Sequence, residues 1–226
     1  MKRMEQLKRL LPKDAVLADI GTDHAYLPIL AVSDHTIQKA YACDVAPGPL
    51  SQAEENIRKA GLEEKIIPIL SDGFDRVPMD ATAAVIAGMG FYTARDILER
   101  AEARLPLLSD IIVQINQDVP LLRQWISDHR YTIRKELSLS ERGKYYSIID
   151  FNTNPHAAYE RAELLCGDLS AVMDREALMD ELRFRMRKLA DIIERRGGDA
   201  PLQEELQILC SVYERLGVFC RPNSKC

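Results

Sequence analysis

Asp19, Gly21, Thr22, Asp23 and His24 fall within the segment LADIGTDHAYLP, Leu17 to Pro28, and that combination can do chemistry. An acid closes an apolar run, a glycine permits a sharp turn, and a second acid with an imidazole follows where a helix should open. Ala15 to Ile20 reads as a buried strand, with the branched Val16 and Ile20 in a run that only Asp19 breaks, near its end. Thr22, Asp23 and His24 are then expected to offer unpaired backbone N–H groups, at the position where open α/β sheets hold nucleotide-like ligands. Two more acids stand at comparable places: Asp44 after the run 37–43, and Asp72 with Gly73 after the run 65–70. A fourth run, AAVIA at 83–87, leads into Ala87, Gly88, Met89 and Gly90, where the glycines let backbone lie against a ligand and Met89 can wall it.

The ligand class follows by elimination. A dinucleotide site would present GxGxxG after the first strand, and this chain has one glycine there. No GxxxxGK followed by Ser or Thr occurs, so a nucleoside triphosphate has no direct support. S-adenosylmethionine remains, with an amino-acid end, a ribose and an adenine that call for acids in place of phosphate-binding amides. Asp44 can accept both ribose hydroxyl protons and Asp72 can reach the adenine amino group. Any one of these aspartates also suits a turn or a cap; acids on three consecutive strand ends point to a ligand.

Those residues need a frame, and the pattern supplies one. Helical stretches at about 24–33, 49–60, 91–104 and 118–129 alternate with strands at about 37–43, 65–70, 83–87 and 110–115, which is βαβ rhythm. Pro120 is tolerated in a first helical turn. Tyr131 to Leu139 and Tyr145 to Phe151 are separated by a short polar link containing Gly143, so they should form an antiparallel hairpin. The expectation is an α/β fold: a mainly parallel sheet ending in an antiparallel pair, over residues 1–155. Beyond it, over 156–226, Met179, Leu182, Met186, Leu189 and Ile193, then Leu202, Leu206, Leu209, Tyr213 and Leu216, make two heptad seams. Gly197 and Gly198 can end the first helix, Asp199 can cap the second and Pro201 fits its first turn, giving an antiparallel helical hairpin. Arg221 to Cys226 are expected to fray.

The chain has 226 residues and a formal net charge of −5, yet two segments are basic. Residues 1–13 carry Lys2, Arg3, Lys8, Arg9 and Lys13 against Glu5, and residues 183–196 carry six Arg and Lys against Asp191 and Glu194. Either segment alone also fits an ordinary solvated helix face. The five cysteines are scattered and without a CxxC pair, which fits reduced thiols and neither a disulfide framework nor a metal site. No run approaches the roughly 20 apolar residues of a membrane span, and no signal-peptide region precedes the fold, so a cytoplasmic protein is expected.

LADIGTDHAYLP, VAPGPL, SDGF, IAGMG, QIN and GKYY together resemble the bacterial tRNA (adenine-22-N1)-methyltransferase family over essentially the whole chain. The resemblance implies a Rossmann-like class I methyltransferase domain with a coiled-coil-like helical domain behind it. It also implies transfer of methyl from S-adenosylmethionine to N1 of an adenine in the tRNA D-arm region. Arg3, Asp19, Gly21, Thr22, Asp44, Val45, Asp72, Gly73, Ala87, Gly88 and Met89 would then hold the cofactor. Asp23, His24, Tyr26 and Asn116 would serve catalysis, with Gln114 beside Asn116 on the adenine edge and Tyr92 or Tyr145 stacking on the base. Lys8, Arg9, Arg183, Arg187 and Arg195 would meet tRNA phosphates; the expected state is a monomer, with no membrane and no metal. Phe91, Ile115 and Ser147 depart from the family pattern and bear on nucleobase specificity. Three alternatives stay open: Asp23 as a helix cap, a methyltransferase for a small molecule or protein with the helical domain as lid, and a non-catalytic RNA-binding adaptor. The helical hairpin could equally dimerise or pack on the sheet.

Overall fold

The computed structural model describes residues 2–196 and 199–217. Five strands are mutually parallel: β1 (Val16–Ile20), β2 (Lys39–Asp44), β3 (Ile66–Leu70), β4 (Ala83–Met89) and β5 (Asp110–Ile115). Two more, β6 (Thr132–Glu141) and β7 (Lys144–Asn152), form an antiparallel hairpin, and β7 inserts beside β5 to give the order β3-β2-β1-β4-β5-β7-β6. Strand order reverses between β1 and β4, so a crevice opens at the carboxyl ends of these strands.

Side chains along each strand alternate between two apolar layers, as the period of two requires. Leu17, Ala40, Ala42, Ala83, Val85 and Ile112 face α1 (Lys2–Leu10), α2 (Tyr26–Ser33) and α3 (Pro47–Ala60). Ala18, Ile20, Tyr41, Cys43, Ile86 and Val113 face α4 (Phe91–Arg100) and α5 (Val119–Asp128). The hairpin link is Arg142 and Gly143, at φ 52° and 75°, the pair of positive angles that matches the twist of a two-residue turn. The edge strand β3 carries Pro68 at its centre. On the other edge, β6 is covered at one point, where Glu136 N–H donates to Ala171 O and Met173 N–H donates to Glu136 O, both at 2.9 Å.

The helical part holds α6 (Arg161–Cys166), α7 (Arg175–Arg196) and α8 (Ala200–Leu216). The last two run antiparallel: Arg183 meets Tyr213 while Met186 meets Cys210. Asp199 caps α8 by accepting from Leu202 N–H at 3.1 Å, and Pro201 sits in its first turn. The seam takes Leu178 rather than the expected Met179; the other expected seam positions join it, with Cys166 of α6 and Val212. The slip arises because α6 adds a third partner, so the buried face is broader than a two-helix seam. Gly197, Gly198, Cys220, Cys226 and the expected frayed stretch 221–226 lie outside the described residues; no disulfide joins Cys43, Cys166 and Cys210.

A buried ion pair fastens the helical part to the sheet. Arg123 of α5 and Glu136 of β6 approach to 2.8 Å with side chains 3% and 5% exposed. Arg123 also donates to Leu164 O and Leu165 O, and Glu136 accepts from Asp168 N–H, so both charges have hydrogen-bonded partners from the α6 segment. Removing one member strands the other charge in a dry interior. Arg123→Ala should lower stability by about 3–5 kcal/mol, measured by urea unfolding, and Arg123→Met with Glu136→Leu should recover most of that loss.

Candidate functional site

At the carboxyl end of β1 the chain reverses into a loop whose N–H groups are directed to β2. Gly21 and Thr22 donate to Cys43 O at 2.8 and 2.9 Å, and Asp23 N–H donates to the Asp44 carboxylate at 3.2 Å. The expected unpaired amides at Thr22 and Asp23 are therefore engaged, because β2 ends level with the loop. The helix also starts later than expected: α2 opens at Tyr26 behind Ala25, which holds φ 58° and gives no side-chain cap. Asp23 is thus not the cap. It sits at φ 55°, a left-handed angle uncommon for a residue with a side chain.

The Asp44 carboxylate is fixed by two loops at once. Oδ1 accepts from Ala46 N–H at 2.9 Å and Oδ2 from Asp23 N–H, leaving one lone pair on each oxygen for hydroxyl donors. Asp19 is 5% exposed and accepts from Thr22 Oγ1 at 2.7 Å, so Thr22 turns inward to serve it. Burial pushes the Asp19 carboxyl up to about 6, against the Thr22 hydrogen bond and with the Asp44 charge adding to the rise. Gly21, at φ 74°, is a position where a Cβ would lie 2.3 Å from Met89 Cε.

An open cleft of about 860 Å³ lies over these strand ends, lined by Gly21, Asp44, Val45, Asp72, Gly73 and Met89 among others. Asp72 is exposed and held by a bidentate pair with Arg100, at 2.8 and 2.7 Å, which keeps its carboxyl below the usual range. A role toward adenine must be shared with that arginine. Thr93, Asp96, Ile97 and Arg100 of α4 complete the wall and were not singled out from the sequence. Their helical spacing after AGMGF is the signal that could have found them.

On the α1 side of the sheet, a polar chain runs from α1 to β4. Fully buried Gln114 accepts from Arg3 Nη1 at 3.3 Å and from Gly88 N–H at 3.2 Å, and donates to Asn116 Oδ1 at 3.4 Å. Asn116 in turn donates to Gly88 O at 2.9 Å. These amides hold the irregular stretch between Ala87 and Met89, where Gly88 has φ 81°, and are already engaged rather than turned to a nucleobase. Arg3 lies 5.4 Å over the Tyr146 ring, and its Nε is buried without a partner among the described residues.

Three predicted side chains stand at the rim. The Asp23 carboxylate is 67% exposed, with His24 Nε2 at 3.4 Å as its neighbour. The His24 and Tyr26 rings lie 5.3 Å apart, and His24 Nδ1 has no partner among the described residues. Of the stacking candidates, Tyr92 is 61% exposed, whereas Tyr145 contacts Phe184 of α7 at 5.0 Å. Among the predicted cations, Lys8 pairs with Asp34 and Glu5, Arg9 donates to Gln6, and Arg183 engages Asp180 and Tyr213. Arg187 and Arg195 are exposed and form no ion pair among the described residues.

A family model described as a methyltransferase domain matches residues 1–149. The chain is 35% identical over 170 residues to the tRNA (adenine(22)-N(1))-methyltransferase of Bacillus subtilis, 74% of this chain and 71% of that one. It resembles the structure of M. capricolum TrmK in complex with S-adenosyl-homocysteine at a TM-score of 0.83 and 28% identity, over 96% of this chain and 98% of that one. A Streptococcus pneumoniae protein solved with S-adenosyl-L-methionine matches at 0.84 and 29%, over 94% of this chain and 99% of that one.

Asp19 gives this site a pH signature. Its folded value of about 6 lies above the ordinary 3.8, so the ionised form carries a folding penalty that is absent below pH 3.8, grows up to about pH 6 and is full above it. Asp19→Asn should therefore raise stability at pH 7 by on the order of 2–3 kcal/mol. Urea unfolding at pH 4, 5 and 7 should show the gap between variant and wild type widening with pH.

Proposed function

The chain belongs to the tRNA (adenine(22)-N(1))-methyltransferase family, and on that premise we propose which of its residues carry each part of the reaction. It is an S-adenosylmethionine-dependent enzyme that methylates N1 of adenine 22 in tRNA. The crevice suits that cofactor on its own chemistry: Asp44, which lines it, keeps lone pairs beyond those bound by Ala46 and Asp23, Asp19 is a buried carboxylate at the end of β1, and Arg3 Nε is, among the described residues, a buried donor without a partner. Bound S-adenosylmethionine supplies a sulfonium methyl, to which the adenine N1 lone pair bonds as the carbon–sulfur bond breaks.

Asp44 holds the ribose hydroxyls with its two remaining lone pairs, and Asp19 with Gly21 and Met89 holds the amino-acid end and the sulfur region. Arg3 answers the carboxylate, and Asp72, sharing Arg100, takes the adenine amino group. Val45, Gly73, Ala87 and Gly88 shape the wall, and Thr22 keeps Asp19 in place. Adenine N1 needs no base to become a nucleophile, but its ring turns cationic on methylation. Asp23 is the group that meets this charge: its carboxylate is exposed at the rim while its N–H is pinned to Asp44, so orientation is set in advance. His24 and Tyr26 steer the base toward it, and Asn116 acts by holding Gly88.

Residues 156–226 form the tRNA-binding part, with Arg187 and Arg195, exposed and without ion pairs among the described residues, together with Lys8, Arg9 and Arg183 as phosphate contacts. The proposed working state is a cytoplasmic monomer. No helix among the described residues is long and apolar enough to cross a membrane. The single observation behind the catalytic assignment is the left-handed, uncapping placement of Asp23 beside Asp44. Labelled methyl from S-adenosylmethionine should appear on N1 of adenine 22 of unmodified tRNA. Asp23→Ala should lower kcat about a hundredfold with cofactor affinity unchanged; methyl on another base would overturn the specificity, and full activity of the variant would overturn the role of Asp23.

A further inference from the structure

The β6–β7 hairpin outruns the strand beside it. β5 ends at Ile115, paired with Ser147, whereas β6 and β7 stay paired out to Glu141 and Lys144. The overhang of residues 139–146 is about 10 Å long at the ordinary rise of a strand. It projects on the same sheet edge as Asp19 and Asp44, because β5 runs parallel to β1 and β2 through β4.

Such an overhang would be floppy alone, and here it is braced on both faces. Glu141 Oε1 accepts from Lys2 N–H at 2.8 Å, and the Arg3 guanidinium lies over Tyr146. Tyr145 points to the opposite face, as strand alternation requires, and meets Phe184 of α7. The two basic helices are thus joined to one hairpin, α1 through its first turn and α7 through Phe184. At the tip, Arg142 and Lys144 are exposed, and neither forms an ion pair among the described residues. Glu141 is the sole acid in residues 139–146, and its carboxylate already accepts from α1. Arg187, with no ion pair among the described residues, follows Phe184 by three residues and so lies on the adjoining helix face.

We propose that this tip grips the tRNA backbone: Arg142 and Lys144 bind phosphates beside the target nucleotide, linking the cations of α1 and α7 into one track. Held at a fixed reach from the cleft, the tip sets how far adenine enters toward the methyl group. The proposal rests on the tRNA-methyltransferase reading and adds the element that positions its substrate.

The test uses the full chain with unmodified tRNA. Arg142→Asn suits the left-handed turn position and removes one charge, and Lys144→Gln removes the other. With both changed, the slope of log affinity against log salt should fall in magnitude by about 1–2. KM for tRNA should rise about tenfold, with S-adenosylmethionine affinity by calorimetry and the thermal midpoint unchanged. Arg142→Lys with Lys144→Arg, which keeps both charges, should retain the wild-type slope. If the wild type methylates tRNA and the neutral variant keeps its slope and KM, the tip proposal alone is overturned; if the wild type neither binds nor methylates tRNA, the functional reading falls and takes the tip with it.

Discussion

The loop after β1 is shaped by the end of β2. Gly21, Thr22 and Asp23 direct their N–H groups to Cys43 O and the Asp44 carboxylate, and this binding of one strand end to its neighbour forces the chain through left-handed angles at Gly21, Asp23 and Ala25. A buried backbone group must find a partner, and for Thr22 the end of β2 supplies it. From this follow the inward turn of Thr22, the late start of α2, the outward carboxylate of Asp23 and the fixed plane of Asp44. Local strain is retained because a buried sheet on one side and two loops on the other leave the chain no alternative.

The βαβ rhythm, the hairpin and the acids at strand ends were legible in the sequence because each has a local cause: a period of two, a turn glycine, a polar break at the end of an apolar run. The start of α2 was not, since Asp23 has the composition of a cap, yet the helix begins behind Ala25 while Asp23 N–H is bound to Asp44, 21 positions away. Asp72 read as a free acid because Arg100, on the far side of a strand and a helix, is invisible from its neighbourhood in the chain. Gln114 and Asn116 read as edge-reading amides for the same reason; their partners Arg3 and Gly88 come from α1 and β4. The slip from Met179 to Leu178 reflects a third helix, α6, whose short length gives little periodic signal.

The helical part depends on a different principle from the sheet. Its own core is a three-helix seam around Leu182, Leu189 and Leu209, and a desolvated charge pair with backbone partners helps to fasten it to the sheet. An apolar contact tolerates sliding, whereas a bidentate guanidinium-carboxylate pair with fixed carbonyls permits one seating. Arg123 therefore fixes how the α6 segment seats on the sheet, while α7 meets the hairpin directly through Tyr145 and Phe184.

The two open margins of the sheet are closed to other chains by opposite means. A margin strand exposes a row of backbone donors and acceptors that any extended peptide can zip onto. Pro68 takes a donor out of the middle of β3, and the short crossing of Ala171 to Met173 occupies β6 at Glu136. Each margin is thereby a poorer template for strand-by-strand self-association than a bare, regular edge would be.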